Sequence, residues 1–492
     1  YQTAEKIISE LCRALDIFVP DESIAIRESF LQSAQFIGRE AELAQLQNAF
    51  EQAKIGHGGL WLVGGESGVG KSRLVDELRI IALTQGVTVL HGQSVETGAL
   101  PYQMWRDVLP KLLLKMPIEP QEASILKEIV PHIDQILGNL VSDAPLVDAM
   151  ARKTRLQVTI NHLFSRQTKP ILLILDDLQW AGTSLDLLKG LHGLLEKSPI
   201  LVIGTYRDDE RPQLPHELNT QNVIHLTRFD SAQIQALSTA MLGEVGKKAD
   251  VVSFLSQETE GNIFFLIEVV RALAEEAGNL SLIGDKTLPE KVFTGGIQTI
   301  VSRRLSKLPP ALAVITQFAA VIGREIDFDL LLHDYKADGL NDWLIASADA
   351  MIIEIRDNKW RFAHDKLREG ALRDMPNSLR KKLNKDAAKA IEAVYPNNPD
   401  YNRALLEHWY VAGDVKQIVH YTIKVANYDL NVIGAHQRVH ILLDRALDLL
   451  YEKENWRMTL YNLRAKAFGL ASEYEKAIEF AQKAKDLAEE YE

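Results

Sequence analysis

The sequence contains very little cysteine and lacks any long apolar run. Its one cysteine, Cys12, excludes an internal disulfide and a cluster of thiolate metal ligands, and this usage is typical of a reducing compartment. The longest strand-like apolar runs have about five residues, whereas a membrane-spanning helix needs about 18. We therefore expect a cytoplasmic protein with no segment in a membrane.

Basic residues are also in the minority. Lys and Arg number 55 against 67 Asp and Glu, so the formal net charge is −12, which argues against broad, non-specific binding of nucleic acid. The 492 residues are 46% hydrophobic and 25% charged, as in a globular protein of roughly three domains. The chain begins at Tyr1 rather than at a Met and ends within a helical pattern, so we expect flanking domains on both sides.

One glycine-rich segment follows the apolar run at residues 59–63 and precedes an amphipathic helical stretch. Its pattern is that of a phosphate-binding loop, in which backbone N–H groups surround an anion at a helix N-terminus. Lys71 is expected to reach the β- and γ-phosphates of a nucleotide, and the Ser72 hydroxyl to bind Mg²⁺. A glycine-rich turn with a solvated lysine is the alternative, and the order of strand, loop and helix disfavours it. The predicted nucleotide-binding residues here are Gly65, Glu66, Ser67, Gly68, Val69, Gly70, Lys71, Ser72 and Arg73.

A buried strand is predicted at residues 171–175, and two carboxylates follow it. About a hundred residues after a phosphate loop, this pattern indicates a Walker B strand. Asp176 is then a ligand of Mg²⁺, and Asp177 orients or deprotonates the attacking water. Acidic residues after a strand also serve as helix caps, which is the alternative interpretation.

Another predicted strand, residues 200–206, ends at Arg207. The planar guanidinium group suits phosphate oxygens, so Arg207 is a candidate sensor of the γ-phosphate. A surface salt bridge with Asp208 or Asp209 remains the alternative.

After residue 33, the pattern of apolar residues and turn residues divides the chain into four parts. Strand-like and helical stretches alternate over 34–227, which predicts a parallel P-loop sheet with helices on both faces. Residues 228–290 predict a helical lid, and 291–395 predict helices with a hairpin at residues 352–362, the pattern of a winged-helix domain. Residues 396–492 predict helical repeats similar to tetratricopeptide repeats, with generic helical hairpins as the alternative. The strand candidates of the sheet are residues 60–63, 87–90, 171–175, 200–206 and 223–226.

Residues 1–33 predict two short helices that are separated at Pro20. The stretch from Leu11 to Glu22 resembles the closing helices of the bacterial transcriptional activator domain. A helical linker is an equally open interpretation.

Several short motifs occur in a characteristic order along the chain. Together with the phosphate loop they resemble the signal transduction ATPases with numerous domains, the STAND class, and within it the bacterial regulators that carry tetratricopeptide-like sensor repeats. The resemblance extends over residues 34–490. Its motifs lie at residues 36–43, 176–180, 204–207, 259–265 and 361–365.

The resemblance implies roles for individual residues. Ile37, Gly38 and Arg39 would border the adenine, and Arg207 would be the first sensor. His364 occupies the position from which winged-helix histidines of this class contact the β-phosphate of ADP and lock a closed state. Ile263 stands where the family usually has a proline, which leaves an apolar contact with the adenine as its expected role. In a further departure, Gly182 replaces a common acidic residue.

These observations predict a switch that binds ATP or ADP with Mg²⁺ and hydrolyses ATP slowly. ADP would hold it closed, and an unknown inducer or protein partner at the C-terminal repeats would permit ATP exchange and assembly of several copies. A bacterial transcriptional regulator is the leading hypothesis, with DNA contacts only through domains outside this chain. The alternatives are a STAND ATPase of defence or effector signalling and a continuously cycling P-loop ATPase or kinase. A purely structural repeat scaffold would not require the phosphate loop or the carboxylates that follow the strand at residues 171–175.

Overall fold

The computed structural model describes residues 36–95, 100–277, 297–356, 359–451 and 455–491. The predicted N-terminal helices with Cys12, the last part of the predicted helical lid, 278–290, and two residues within the predicted hairpin, 357 and 358, lie outside these ranges. The chain forms two units. The first contains the described parts of Tyr1–Leu43, Ser67–Gly70 and Leu226–Ile300, and the second contains those of Ala44–Glu66, Lys71–His225 and Val301–Glu492.

A five-stranded parallel sheet organises the second unit, with the strand order β2-β3-β4-β1-β5. Every residue of β3 and β4 is buried, and since successive side chains point to opposite faces, both faces of these strands are covered. The predicted fold class and the five strand positions are confirmed. The strands are β1 (Gly59–Gly64), β2 (Thr88–Gln93), β3 (Ile171–Asp176), β4 (Ile200–Tyr206) and β5 (Val223–His225).

Helices connect the strands and supply most of the core against the sheet. Trp105 is fully buried, packs edge-on against Phe164, and its indole N–H donates to the Ser184 carbonyl at 3.0 Å, so the largest core side chain has no unsatisfied polar atom. A short 3₁₀ turn, Leu178–Trp180, follows β3. The helices are α1 (Glu40–Lys54), α2 (Lys71–Thr84), α3 (Gln103–Leu113), α4 (Pro120–Leu126), α5 (Ile133–Leu137), α6 (Ala149–Ser165), α7 (Ser184–Leu195) and α8 (Leu214–Glu217).

Three further helices form the core of the first unit: α9 (Ser231–Leu242), α10 (Ala249–Thr259) and α11 (Ile263–Ala277). Asp230 and Gln233 form a reciprocal capping box at the start of α9. The turn between α10 and α11 requires Gly261, since its φ is +77° and a Cβ there would lie 2.1 Å from the Phe229 carbonyl oxygen.

The chain then enters a region of helices with one antiparallel hairpin, which we call the hairpin region (residues 301–395). Trp343 is buried at its centre and donates to the Thr316 hydroxyl at 2.9 Å. The two strands form an antiparallel hairpin, as the sequence predicted, with Ile353 opposite Phe362. The elements are α12 (Ile297–Leu305), α13 (Pro310–Ile322), α14 (Phe328–Asp334), α15 (Ala337–Asp349), β6 (Ile353–Arg356), β7 (Lys359–Phe362), α16 (Asp365–Arg373) and α17 (Asn377–Val394).

Helical hairpins occupy the rest of the described chain, which we call the repeat region (residues 396–491). The helices of this region are interrupted at Gly413, Gly434 and Ser472, and all three residues have positive φ. A π-helical turn, Asp429–Ile433, separates the second helix from the third. In the described part of the chain, no helix combines the length and apolarity needed to cross a bilayer. The helices are α18 (Asn402–Ala412), α19 (Val415–Tyr428), α20 (His436–Leu447), α21 (Asn455–Leu470) and α22 (Tyr474–Tyr491).

Candidate nucleotide site

Lys71 is the first residue of α2 and lies directly after the loop that follows β1. Its side chain is 9% exposed, and its ammonium group donates to the carbonyl oxygens of Gly65 at 2.6 Å and Glu66 at 2.8 Å. Burial lowers the pKa of Lys71, and the Asp177 carboxylate opposes that effect. The lysine is therefore held on the loop that the sequence assigns to phosphate, while Ser72 beside it is exposed.

The middle of the same loop, residues 67–70, contacts the start of α11 within the first unit. Gly68 has a φ of +89°, and a Cβ there would lie 2.6 Å from the Asn262 side-chain oxygen. The Asn262 amide donates to the Ser67 carbonyl at 3.0 Å, and the Ile263 side chain reaches within 3.0 Å of the Cβ position of Gly70. Asn262 is 2% exposed and holds the loop in its conformation. It was not among the predicted site residues.

The residues expected to border the adenine lie elsewhere in the first unit. Arg39 is buried, donates to the Thr227 carbonyl, and places its guanidinium carbon 4.9 Å from the centre of the Phe229 ring. Gly38 has a positive φ and Ile37 is partly buried. Arg39 therefore connects the segment before α1 to the segment before α9, and the adenine role of these residues stays a prediction.

Asp176 is the last residue of β3 and 6% exposed. One carboxylate oxygen lies 2.8 Å from His91 Nε2, and the other accepts a hydrogen bond from the Thr205 hydroxyl at 2.9 Å. Burial acts to raise the pKa of Asp176, but the bond and charge of His91, the charge of Arg356 and the bond from Thr205 together outweigh it and hold the pKa far below its usual range. The carboxylate is therefore ionised, as a metal ligand must be.

These donors fit the predicted Mg²⁺. A carboxylate and a hydroxyl are hard oxygen ligands, and Mg²⁺ at nucleotide sites is typically bound by one or two protein ligands together with phosphates and water. Asp176 and Ser72 would be the protein ligands, and the ion would screen the phosphate charge. His91, which orients Asp176 from the neighbouring strand β2, was not among the predicted site residues.

Asp177 belongs to a set of four charged residues, which we call the ion-pair network: Asp177, Arg207, Arg324 and Asp365. Arg324 Nη1 lies 2.9 Å from an Asp177 oxygen, and Arg324 Nε lies 3.1 Å from an Asp365 oxygen. The other Asp365 oxygen accepts a bond from Arg207 at 2.7 Å. The four side chains are between 9% and 18% exposed. The network therefore joins the tips of β3 and β4 to the hairpin region.

Arg207 does not form the surface salt bridge that the sequence left as an alternative. Its ion-pair partners are Glu210 at 2.6 Å and Asp365 at 2.7 Å, rather than Asp208 or Asp209. Its guanidinium carbon also lies 4.8 Å from the centre of the Trp180 ring, within the range of a cation–π contact. With 7% of its surface exposed, Arg207 is not a surface salt-bridge residue.

The protonation of the network follows from its burial. Burial raises the pKa of Asp177, and Arg324 counters only part of that effect. For Asp365 the balance is reversed, because Arg324, His364 and Arg207 together outweigh burial and hold its pKa below the usual range. Asp177 is also no helix cap, since its side chain makes no capping bond to the 3₁₀ turn and its φ is +59°.

His364 directly precedes α16 and caps it. Its Nδ1 accepts a hydrogen bond from the Lys366 backbone N–H at 3.1 Å, so a neutral ring carries its proton on Nε2. Burial lowers the pKa of His364 to about 3, Asp365 opposes this, and Arg324 adds to it. His364 is therefore neutral at physiological pH with Nε2 as a donor. Arg361 on β7, which precedes His364 in the chain, pairs with Glu354 at 3.0 Å.

Two more ion pairs connect the hairpin to the helices around the sheet. Arg356 at the end of β6 lies 2.6 Å from Asp76 on α2, and Lys359 at the start of β7 lies 3.7 Å from Asp107 on α3. Together with the ion-pair network, they hold the hairpin region against the nucleotide-binding side of the sheet through opposite charges.

The sequence did not identify Arg324. Arg303 and Arg304, at the end of α12, were also not among the predicted site residues. Arg304 is buried and donates to the Ala350 carbonyl at 3.0 Å, which is a structural role. Arg324 is 147 residues from Asp177 in sequence and belongs to no motif, so no local signal points to the pair.

Comparison with known families supports the assignment of the parallel sheet to a nucleotide-binding domain. Residues 35–203 match the family described as AAA ATPase domain. The chain therefore contains an AAA ATPase domain in this segment, which confirms the predicted P-loop ATPase and implies nucleotide binding, typically with Mg²⁺. No match was found among curated proteins.

Solved structures of similar fold include a STAND protein with a tetratricopeptide repeat sensor from Pyrococcus horikoshii. It is 15% identical with a TM-score of 0.48, and the match covers 93% of this chain and 65% of that protein. Drosophila ORC bound to DNA gives 14% identity and a TM-score of 0.37, with coverage of 70% and 90%. Cdc6p from Pyrobaculum aerophilum gives 14% and 0.34, with coverage of 72% and 98%. The chain thus spans about two thirds of the length of the STAND protein.

Proposed function

We propose that this chain is an ATP/ADP-dependent switch and that the structure represents its closed state. The ion-pair network carries the proposal. Asp177, the candidate water-orienting carboxylate, and Arg207, the candidate γ-phosphate sensor, are both engaged by residues of the hairpin region, Arg324 and Asp365. Arg324 Nη1 lies 2.9 Å from one Asp177 oxygen and occupies the place of an attacking water, so hydrolysis requires that Arg324 first leave.

ADP and ATP then stabilise different states, closed and open, because they make different contacts with the protein. In the proposed closed state, His364 donates its Nε2 proton to the β-phosphate of ADP. ATP adds a γ-phosphate, which competes with Asp365 for Arg207, because the guanidinium fork suits either anion. ATP binding therefore weakens the network, while hydrolysis and phosphate release restore it.

The remaining assignments extend the switch to its biological setting. Ile37, Gly38, Arg39 and Ile263 border the adenine, and the repeat region receives the inducer or protein partner. The open, ATP-bound form assembles into a homo-oligomer. Transcriptional regulation, with DNA bound by domains outside this chain, is the proposed output, and defence or effector signalling is the alternative output of the same switch.

The second candidate function is a continuously cycling ATPase or kinase. It predicts turnover of about 1–100 s⁻¹, whereas a switch retains its nucleotide and turns over far more slowly. The network favours the switch, because an enzyme that cycles continuously gains nothing from an arginine held on its catalytic carboxylate.

The nucleotide carried by freshly purified full-length protein tests the proposal. The protein is denatured, and the released nucleotide is identified by chromatography. We expect ADP at near-stoichiometric amounts, slow ADP release, and faster release in His364→Ala. Protein that is empty and also fails to bind ADP would refute the switch. Unchanged release in His364→Ala would remove that histidine from the mechanism.

A further inference from the structure

A cavity of about 560 Å³ lies between the sheet's connecting segments and the repeat region, away from the phosphate loop. Its lining includes Pro101, Gln103 and Trp180 from the connecting segments, and Arg403 and Arg438 from the repeat region. This volume is within the range of pockets that bind small molecules, about 300–1,000 Å³. The cavity also combines apolar and polar walls, as such pockets do.

Arg438 lines this cavity, is only partly exposed, and has no hydrogen-bond or ion-pair partner among the residues that the structure describes. Burial lowers the pKa of Arg438, the positive charge of Arg403 adds to this, and Asp429 opposes it. A partly desolvated guanidinium without a counter-charge is costly, because arginine stays ionised under all ordinary conditions.

The acidic residue nearest to Arg438 is already engaged. Asp429, which is fully buried, accepts hydrogen bonds from Arg403 Nη2 at 2.9 and 2.8 Å on its two oxygens. It belongs to the π-helical turn Asp429–Ile433, a rare conformation that is frequent at functional sites. Asp429 thus faces two arginines, and the other acidic residue of the lining, Glu407, pairs with Arg445 at 3.2 Å, so Arg438 has no carboxylate of its own in the described part of the chain.

The helix that carries Arg438 increases the positive potential. Helix α20 begins at His436, and its cap residue, Ala435, makes no side-chain capping bond. Its first turn contains no acidic residue, although negative groups are favoured there and an arginine is not. A cation, a positive helix end and a cavity therefore coincide at one place.

We infer that this cavity binds a small organic anion, whose carboxylate or phosphate group is held by Arg438 and whose apolar part contacts Trp180. The guanidinium fork accepts either group in a bidentate manner. Free inorganic phosphate is too small to fill a cavity of about 560 Å³, and the indole ring favours an organic portion.

The position of Trp180 connects this site to the nucleotide site. The same indole ring that lines the cavity contacts Arg207 of the ion-pair network at 4.8 Å. Occupation of the cavity shifts that ring and alters how Arg207 is shared between Asp365 and a γ-phosphate. This second step, in which the anion is the effector that sets ADP release, rests on the proposed switch, whereas binding at Arg438 does not.

The binding step is tested by the reactivity of individual arginines. Full-length protein is treated with phenylglyoxal, which modifies guanidinium groups, in the presence of inorganic phosphate or citrate, and modified arginines are mapped by mass spectrometry. Protection follows 1 + [L]/Kd, so we expect about tenfold slower labelling of Arg438 at ten times Kd. Arg373 on α16 pairs with Asp374 at 3.2 Å, lies outside the cavity lining and is the internal reference, with no protection expected.

Calorimetric titration of citrate gives the second measurement. Arg438→Gln should weaken binding by about tenfold or more, since bonds to a charged group are lost, and Arg438→Lys should weaken it less. Lys416→Gln, which removes an exposed positive charge from α19, is the matched control and should bind as wild type does. Protection by phosphate alone identifies a phosphate-bearing ligand, and protection by citrate alone a carboxylate.

The outcomes separate the two steps. If neither anion protects Arg438 and Arg438→Gln leaves the citrate affinity unchanged, the site is overturned. If Arg438 is protected but citrate leaves ADP release unchanged, the binding site stands and the coupling to the switch is refuted. Failure of the purified protein to bind ADP would refute the proposed function whatever happens at Arg438.

Discussion

Arg324→Gln is the substitution that most directly tests the closed state. Arg324 bridges Asp177 at 2.9 Å and Asp365 at 3.1 Å, and removing its charge leaves two carboxylates near each other without their shared partner. Breaking a fully buried ion pair costs about 3–5 kcal/mol, and an exposed pair about 0–1 kcal/mol. With these side chains 14% to 18% exposed, we take about 2 kcal/mol as the loss for the closed state.

This loss predicts a measurable change in nucleotide release. A change of 1.4 kcal/mol corresponds to a factor of ten, so about 2 kcal/mol corresponds to about 30-fold faster ADP release if release requires opening. Stopped-flow fluorescence with an N-methylanthraniloyl derivative of ADP, chased with unlabelled ADP, measures the rate. Lys366→Gln is the matched control, because Lys366 lies next to Asp365 but pairs with Glu369 within α16.

Two results would refute the reasoning. Release in Arg324→Gln that differs from Lys366→Gln by less than about threefold would mean that the pair contributes no more than an exposed salt bridge. The second result is a double-mutant cycle with Asp365→Asn in which the two substitutions simply multiply each other's effect on the ADP release rate. That result would show that Arg324 and Asp365 do not act through their mutual contact. Hydrogen exchange at the backbone amides of α16 should rise in Arg324→Gln, which separates opening from a direct effect on the nucleotide.

The other predictions concern salt, pH and the loop lysine. Raising NaCl from 0.05 to about 0.5 M should accelerate ADP release in wild type more than in Arg324→Gln, because the partly exposed pairs at the hairpin are screened; equal salt dependence would contradict this. His364 has a folded-state pKa of about 3 against 6.5 in an unfolded chain, so the unfolded state gains a proton as pH falls through 6.5 and stability is lost. Between pH 7 and 5, urea unfolding should show wild type losing about 1–2 kcal/mol more than His364→Gln, and parallel losses would refute burial of a neutral ring. Lys71→Ala should weaken ATP binding by about tenfold or more without unfolding the protein, as titration and circular dichroism would show. Lys54→Ala, at the end of α1 and outside the loop, should leave ATP binding unchanged. Intact ATP binding in Lys71→Ala would count against the phosphate loop.

The nucleotide-binding framework was accessible from the sequence because its signals are local. The apolar runs predicted five strands, and the positions of the loop after β1 and of Asp176 at the end of β3 follow from chain order alone. Glycine spacing predicted the loop because the backbone itself binds phosphate, and Gly68 and Gly261 have the positive φ angles that this residue type permits.

The partners of these residues depend on contacts that no local pattern encodes. His91 reaches Asp176 because β2 pairs with β3 in a register that places Gln93 opposite Asp176. Arg207 and Asp365 are 158 residues apart, and their contact depends on how the hairpin region packs against the ends of the strands.

The chemistry present at each strand end can be read from the sequence, since parallel strands place their carboxyl ends on one edge of the sheet. Tertiary structure alone decided that Asp177 is paired with Arg324 and that Arg438 is left without a partner among the described residues. The physical reason is that ion pairing depends on distances of a few ångströms and on the surrounding dielectric, and both are properties of packed elements rather than of neighbours in the chain.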